Sequence, residues 1–108
     1  MMVRDISCTE LSARLKSDQP IALLDVREDW ELEICSISQA LHVPLSELSS
    51  KVGELAPDVP LAIICHHGVR SRHAGRFLED HGFKEVFNVR GGIDAWALEI
   101  ERDMSRYD

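Results

Sequence analysis

An uninterrupted apolar run at residues 61–65 constrains the fold more than any other feature of this sequence. A run of this length without polar alternation is typical of a strand that helices cover on both faces, as in a parallel sheet. Residues 21–26 form a second run of this kind, broken only by Asp25. The two runs predict an α/β fold with a central, mainly parallel sheet.

Amphipathic stretches alternate with these runs and predict helices on both faces of the sheet. Ser7 and Glu10 form a capping box, so a first helix is expected to begin there and to end near Ser17. Gly82 is expected to end a later helix in the left-handed conformation, with Phe83 packing back on that helix. The other expected elements are a helix at 28–34, a strand at 41–43, a helix at 45–55, a helix from about Ser71, a strand at 86–89 and a helix after Gly92. A short strand near 3–6 would bring the sheet from four strands to five.

The length, charge and cysteine content of the chain limit the classes of protein to which it can belong. The 108 residues fit one domain, expected to span 1–108. The formal net charge of −7 should repel nucleic acid and anionic membranes, so neither is expected as a partner. An odd set of three cysteines with no CxxC pair argues against a disulfide framework and favours a reducing, cytoplasmic setting. No apolar stretch approaches the ~20 residues of a membrane span.

The candidate site is the segment Cys65-His66-His67-Gly68-Val69-Arg70-Ser71, where a cysteine ends a buried strand and a helix follows. Ligands in parallel α/β folds bind at the carboxyl ends of the strands. Successive backbone N–H groups in such a loop, together with the helix N-terminus, form an anion cradle. The cradle favours the thiolate, which is the reactive form of cysteine.

Four stretches of the chain resemble the rhodanese domain family, in the order expected for that family. Residues 65–71 resemble its active-site loop, which begins with Cys and has Gly at the fourth position. Residues 25–28 resemble the strand-end Asp-x-Arg element, and residues 40–44 resemble the stretch that follows it. Residues 91–96 match the Gly-Gly-x-x-x-Trp signature near the end of the domain. The resemblance covers nearly the whole chain.

The resemblance implies a three-layer α/β/α domain and a sulfurtransferase that carries sulfur as a persulfide on Cys65. The donor would be a small anionic sulfur compound, thiosulfate or a persulfide, guided by Arg70. The acceptor would be cyanide or a thiol, including a protein thiol. Asp25 and Arg27 would brace the loop, and no metal or other cofactor is implied. The substrate-binding residues would be the rest of the loop, namely His66, His67, Gly68, Val69, Arg70 and Ser71.

Two other functions stay open at this point. Cdc25-type phosphatases and related arsenate reductases share the scaffold, but their loop is one residue longer and has Arg at the sixth position after Cys, where this chain has Ser71. A non-catalytic rhodanese-like binding module commonly lacks the cysteine that is present here. Residues 35–40 depart from the family's Gly-His-Ile-x-Gly-Ala stretch, which leaves the local turn geometry open.

Several side chains have both a structural and a functional interpretation. Adjacent His66 and His67 rarely converge on one ion, so a metal site is not expected. Cys35 is either a resolving thiol or a small, partly buried side chain, and Trp30 either lines the pocket rim or packs elsewhere. The acidic residues Glu28, Asp29, Glu31 and Glu33 are expected to form a solvated helix face, which could alternatively dock a basic partner.

Overall fold

The computed structural model describes residues 3–108 and contains one five-stranded sheet, in which every pairing is parallel. The strand order is β1-β5-β4-β2-β3. The strands are β1 (Arg4–Ile6), β2 (Ala22–Asp25), β3 (Leu41–His42), β4 (Leu61–Ile64) and β5 (Val86–Val89). The predicted α/β class and its mainly parallel sheet are confirmed, and the short first strand pairs with β5 at the sheet edge.

Helices cover both faces of this sheet. They are α1 (Cys8–Leu15), α2 (Asp29–Ile34), α3 (Leu48–Lys51), α4 (Val69–Asp80) and α5 (Gly92–Glu99). Alternate residues of the strands enter two separate hydrophobic cores. Ala62 and Ile64 of β4 pack with Trp96 of α5 on one face, whereas Leu61 and Ile63 pack with residues of α4 on the other.

The helix boundaries differ from the sequence expectation in two places. Residues 45–55, expected as one helix, form a single α-helical turn flanked by two short 3₁₀ segments. Serines and Gly53 have weak helix propensity, which explains the break. The helix α4 begins at Val69, earlier than expected, because Gly68 takes a left-handed conformation that caps it. The loop after β4 is therefore shorter than predicted.

The predicted helix ends at Ser7 and Gly82 are present, and of the two bonds of the predicted capping box the one accepted by Ser7 is formed. The side chain of Ser7 accepts a hydrogen bond from the Glu10 amide at 3.1 Å and starts α1. Gly82 has φ +91°, and the amide of Phe83 returns to the carbonyl of Leu78 at 3.1 Å. These bonds satisfy backbone groups that helix ends would otherwise leave without partners.

The start of α5 is bonded to the segment that follows β4. The amide of Ile93 donates to the carbonyl of Cys65 at 2.8 Å, and the amide of Asp94 donates to that of His66 at 3.2 Å. Gly92, with φ +61°, approaches these two carbonyls so closely that a Cβ on it would overlap them. The close contact fixes the backbone from which the cysteine side chain projects.

Within the described residues 3–108, no helix is long and apolar enough to cross a membrane.

The close contact at Gly92 predicts a large stability difference between two glycine substitutions. Gly92→Ala should lower the free energy of unfolding by at least about 2 kcal/mol, since it combines overlap with backbone and a left-handed φ. Gly53→Ala has open space around its Cβ and should stay within about 1 kcal/mol of the parent protein. Urea denaturation measures both values. Equal stability of the two variants would contradict the proposed constraint.

Candidate active site

The sulfur of Cys65 lies where the chain leaves β4 and turns into α4. The residue is 1% exposed, and its Sγ accepts a hydrogen bond from the backbone N–H of Gly68 at 3.0 Å. Gly68 has φ +110°, in the region that favours glycine. An amide donor and the amino end of a twelve-residue helix both stabilise negative charge at this position.

The hydroxyl of Ser71 also contacts the sulfur, with Oγ 3.3 Å from Sγ. Ser71 Oγ donates to Oδ1 of Asn88, which is buried on β5, and Asn88 Nδ2 donates to Asp5 on β1 at 3.3 Å. Because a hydroxyl has one proton, Ser71 can donate to only one of Asn88 and the Cys65 sulfur at a time. If Ser71 releases Asn88, the same proton can be donated to a sulfur anion.

The guanidinium of Arg70 is held by a buried carboxylate. Its Nη1 and Nη2 donate to Oε1 and Oε2 of Glu31 at 2.6 and 2.8 Å. The side chain of Glu31 is 3% exposed and that of Arg70 is 34% exposed. The expectation that the whole acidic run on α2 is solvated is therefore wrong for Glu31, because this carboxylate faces the loop.

Four donors converge on the Glu31 carboxylate. Besides the two from Arg70, the Glu28 amide donates to it at 3.0 Å and the hydroxyl of Tyr107 donates at 2.6 Å. Burial opposes ionisation of Glu31, but the bonds from Arg70, Tyr107 and the Glu28 backbone outweigh it and lower its pKa to about 2. The carboxylate is thus a fixed anion across the neutral range.

Tyr107 comes from the segment after α5 and reaches the loop. Burial, and then its hydrogen bond to Glu31, raise the pKa of Tyr107 to about 12. Its ring stacks on His66 with centroids 4.0 Å apart, and its carbonyl lies 2.8 Å from Nε2 of His66. Its edge contacts Trp30 with centroids 5.8 Å apart. The segment around Tyr107 therefore forms one wall of the site. Trp30, whose side chain is 57% exposed, lies at the outer edge of this wall.

Asp25 and Arg27 form a buried ion pair below this wall. Arg27 Nη2 donates to Asp25 at 2.7 Å and to the carbonyl of Cys35 at 2.9 Å. Arg27 Nη1 donates to the hydroxyl of Tyr107 at 3.1 Å. Desolvation by burial would lower the pKa of Arg27. The hydrogen bonds to Asp25 and Tyr107 outweigh this effect, so the pKa of Arg27 is raised. The pair supports α2 and Tyr107, and it reaches the loop indirectly, through the contacts of Tyr107 with Glu31 and His66.

The other predicted loop residues lie at the outer surface. His67 is exposed, stacks on His66 at 3.9 Å between centroids, and lies 3.9 Å from Asp94. Val69 is 67% exposed. Ligand atoms of His66, His67 and Asp94 lie within 4.8 Å of one another, which is close enough for one ion. The Asp94 carboxylate, however, already accepts two hydrogen bonds from Arg106.

The two remaining cysteines are buried away from solvent. Cys35 is 8% exposed, and its sulfur lies 3.8 Å from Nη1 of Arg27. Cys8 lies in the core beside α5, and its burial, with a contribution from Glu99, raises its pKa to about 11. Of the three thiols, Cys65 is the one whose sulfur accepts a hydrogen bond from a backbone amide.

Sequence reasoning missed three contributors to this site. Glu31 was hidden within an acidic run, although its position three residues after Glu28 matches a capping box and could have indicated a buried role. Asn88 is a polar residue inside an apolar strand, which is a usable signal for a buried contact. No local pattern in the sequence indicates that Tyr107 reaches the loop.

Comparisons with known proteins relate this chain to one family of domains. A model of the rhodanese-like domain family matches residues 7–99. Putative sulfurtransferase YtwF from Bacillus subtilis is 36% identical over 101 residues, covering 94% of this chain and 97% of that protein. Thiosulfate sulfurtransferase GlpE from Coxiella burnetii is 31% identical and covers 89% of each chain. A rhodanese-related crystal structure from Thermoplasma volcanium has a TM-score of 0.81 at 39% identity, covering 90% of this chain and 93% of its own.

The parallel sheet and the cysteine loop define a rhodanese-type domain, and the chain belongs to the rhodanese-like domain family. Residues 100–108, which include Tyr107, lie beyond the range matched by the family.

The buried carboxylate predicts a specific acid sensitivity. The pKa of Glu31 is lower in the folded protein than in the unfolded chain. Between pH about 4.5 and 2 the unfolded chain therefore binds more protons than the folded protein does. The free energy of unfolding consequently falls as the pH falls through this range. The contribution lost is up to about 3 kcal/mol. Glu31→Gln should flatten this part of the stability profile. Glu33→Gln, an exposed change on the same helix, should keep it.

Proposed function

We propose that this protein is a sulfurtransferase that moves sulfane sulfur from thiosulfate or a persulfide donor to a thiol or cyanide acceptor through a persulfide on Cys65. The observation that carries the proposal is the Gly68 N–H bond to Sγ at the carboxyl end of the central strand. Relatives named as sulfurtransferases support the activity class.

In the first step the Cys65 thiolate attacks the outer sulfur of the donor. A bond forms between Sγ and that sulfur, and the bond to the donor's inner atom breaks. The leaving group departs with the electron pair, as sulfite from thiosulfate or as a thiolate from a persulfide. Covalent capture divides the transfer into two simpler displacements.

In the second step an acceptor thiolate or cyanide attacks the outer sulfur of the persulfide. The sulfur–sulfur bond to Cys65 breaks, and its electron pair restores the thiolate. Before this step, the loop amides of residues 66–71 and the Ser71 hydroxyl would stabilise the outer sulfur, as fixed donors stabilise developing negative charge in other enzymes. The wall formed by Tyr107 and Trp30 would flank the path of the acceptor.

The loop length favours sulfur over phosphate as the transferred group. A phosphoryl group needs a cradle for three oxygens and an arginine free to bind two of them. Here Ser71 stands at the position where the phosphatase loop has arginine, and both terminal nitrogens of Arg70 already donate hydrogen bonds to Glu31. The phosphatase interpretation is therefore the weaker one.

A sulfur carrier is the second candidate within the same chemistry. A putative sulfur carrier protein of Bacillus subtilis, YrkF, is 36% identical to this chain, which spans 54% of that protein. A carrier would deliver the Cys65 sulfur to a protein thiol rather than to a free compound.

A reducing, cytoplasmic setting is part of the proposal, because Cys8, Cys35 and Cys65 are free thiols.

Cys65→Ser should abolish sulfur loading, because the nucleophile is lost. Intact mass spectrometry after incubation with excess thiosulfate or a persulfide should show the mass of one added sulfur on the parent protein and none on this variant. Cys35→Ser should still load, since its sulfur lies beside Arg27 instead of in the loop. Loading that persists in Cys65→Ser, or disappears in Cys35→Ser, would refute the assignment.

The kinetics of transfer should be of the ping-pong type, because the donor leaves before the acceptor reacts. Double-reciprocal plots with thiosulfate and cyanide should give parallel lines. Intersecting lines would indicate a ternary complex and rule out a free persulfide intermediate.

A further inference from the structure

The electrostatic surroundings of Cys65 differ from those expected of a site for a doubly charged anion. Arg70, the cation closest along the loop to the sulfur, is paired through two bonds with Glu31. The hydrogen bonds to Glu31 raise the pKa of Arg70, and the negative charge of Glu31 raises it further. Burial of Arg70 acts in the opposite direction but is outweighed. The pair contributes one positive and one negative charge, and the two compensate each other.

Other cations around the loop are also paired with carboxylates. Asp5 faces two of them, Arg72 at 2.7 Å and Arg90 at 3.9 Å. Asp25 pairs with Arg27 at 2.7 Å, and Asp94 pairs with Arg106 at 2.9 Å. The backbone amide of Gly68 and the start of α4 supply only partial positive charge at the sulfur.

Thiosulfate and a hydropersulfide place very different charges in this site. Thiosulfate is a dianion at neutral pH. Its reaction with the Cys65 thiolate therefore brings three negative charges into the site, and the products are a cysteine persulfide anion and sulfite. A persulfide donor carries at most one negative charge at its reacting sulfurs, and its protonated form, the hydropersulfide R–S–SH, is neutral there. The reaction of the hydropersulfide gathers one negative charge: Sγ bonds to the outer sulfur, which keeps its proton, and R–S⁻ leaves with the electron pair.

We propose that Glu31 is a specificity-determining residue, which holds Arg70 in a neutral pair beside Cys65 and so sets the site for hydropersulfide donors in preference to thiosulfate. The inference rests on the proposed sulfur transfer and names its donor class. Tyr107 acts as a positioning residue for this pair, because its hydroxyl binds the Glu31 carboxylate and its ring closes the same wall.

The central experiment compares kcat/KM for thiosulfate with kcat/KM for cysteine persulfide. Glu31→Gln releases Arg70 from its anion and should raise the thiosulfate-to-persulfide ratio roughly tenfold, the effect of one unit charge a few ångströms away in a partly hydrated site. Glu33→Gln makes the same change in net charge on an exposed position of α2 and should leave the ratio within about twofold, since solvent screens it. An unchanged ratio in Glu31→Gln, or an equal rise in both variants, would overturn the proposal.

A double variant tests whether the effect passes through Arg70. Adding Arg70→Gln to Glu31→Gln removes the released cation, so the ratio should return to near the parent value. A ratio that stays raised in the double variant would show that Arg70 is not involved and would overturn the proposed role of the pair.

A measurement on the unmodified protein does not depend on the folding of any variant. Since Arg70, the loop cation beside the sulfur, is neutralised by Glu31, the thiosulfate kcat/KM should stay constant or rise as salt is added. A steep fall with salt would reveal a positive site and refute the inference.

Alkylation of Cys65 separates failure of this inference from failure of the proposed function. Glu31→Gln should speed reaction with anionic iodoacetate relative to neutral iodoacetamide, and Glu33→Gln should not. This ratio reports charge around the sulfur even if no donor loads it. Absence of sulfur loading from every donor would instead count against the proposed transfer, whatever the alkylation ratio.

Discussion

The burial of β4 on both faces decides where the chemistry of this protein can take place. Its alternating side chains enter two different cores, and its neighbours β2 and β5 hydrogen-bond along both of its edges. Such a strand cannot shift by one residue without exchanging its two faces. Cys65 follows directly after it, so the position of the sulfur is set by the most constrained part of the sheet.

The loop after β4 is then fixed from the other side by backbone contacts. The first amides of α5 bind the carbonyls of Cys65 and His66, and Gly92 allows this approach because it lacks a Cβ. Gly68 makes a tight left-handed turn that directs its amide to the sulfur and starts α4. The cradle is therefore built by backbone geometry, which leaves the side chains of the loop free to differ in charge and size.

Charge around the sulfur is controlled by buried ion pairs more than by the net charge of the chain. The Glu31 carboxylate accepts hydrogen bonds from α4, from its own helix start and from Tyr107. Burying such a carboxylate is costly unless its hydrogen-bonding capacity is filled, and here it is filled. As a consequence Arg70, which the sequence offers as a guide for an anionic donor, is engaged before any donor arrives.

The sequence by itself determined the α/β class, the parallel sheet, the cysteine that ends the central strand and Gly68 in the loop that follows it. These features are encoded locally, in apolar runs, cap residues and turn residues, which is why the strand at 86–89 and the caps at Ser7 and Gly82 were predicted correctly. Only the tertiary structure decided that Glu31 is buried, that it pairs with Arg70, and that Tyr107 closes the site. Arg70 lies 39 positions from Glu31 in the sequence, and Tyr107 lies 76 positions from it. Whether such distant groups meet depends on how α2, α4 and the segment after α5 pack together.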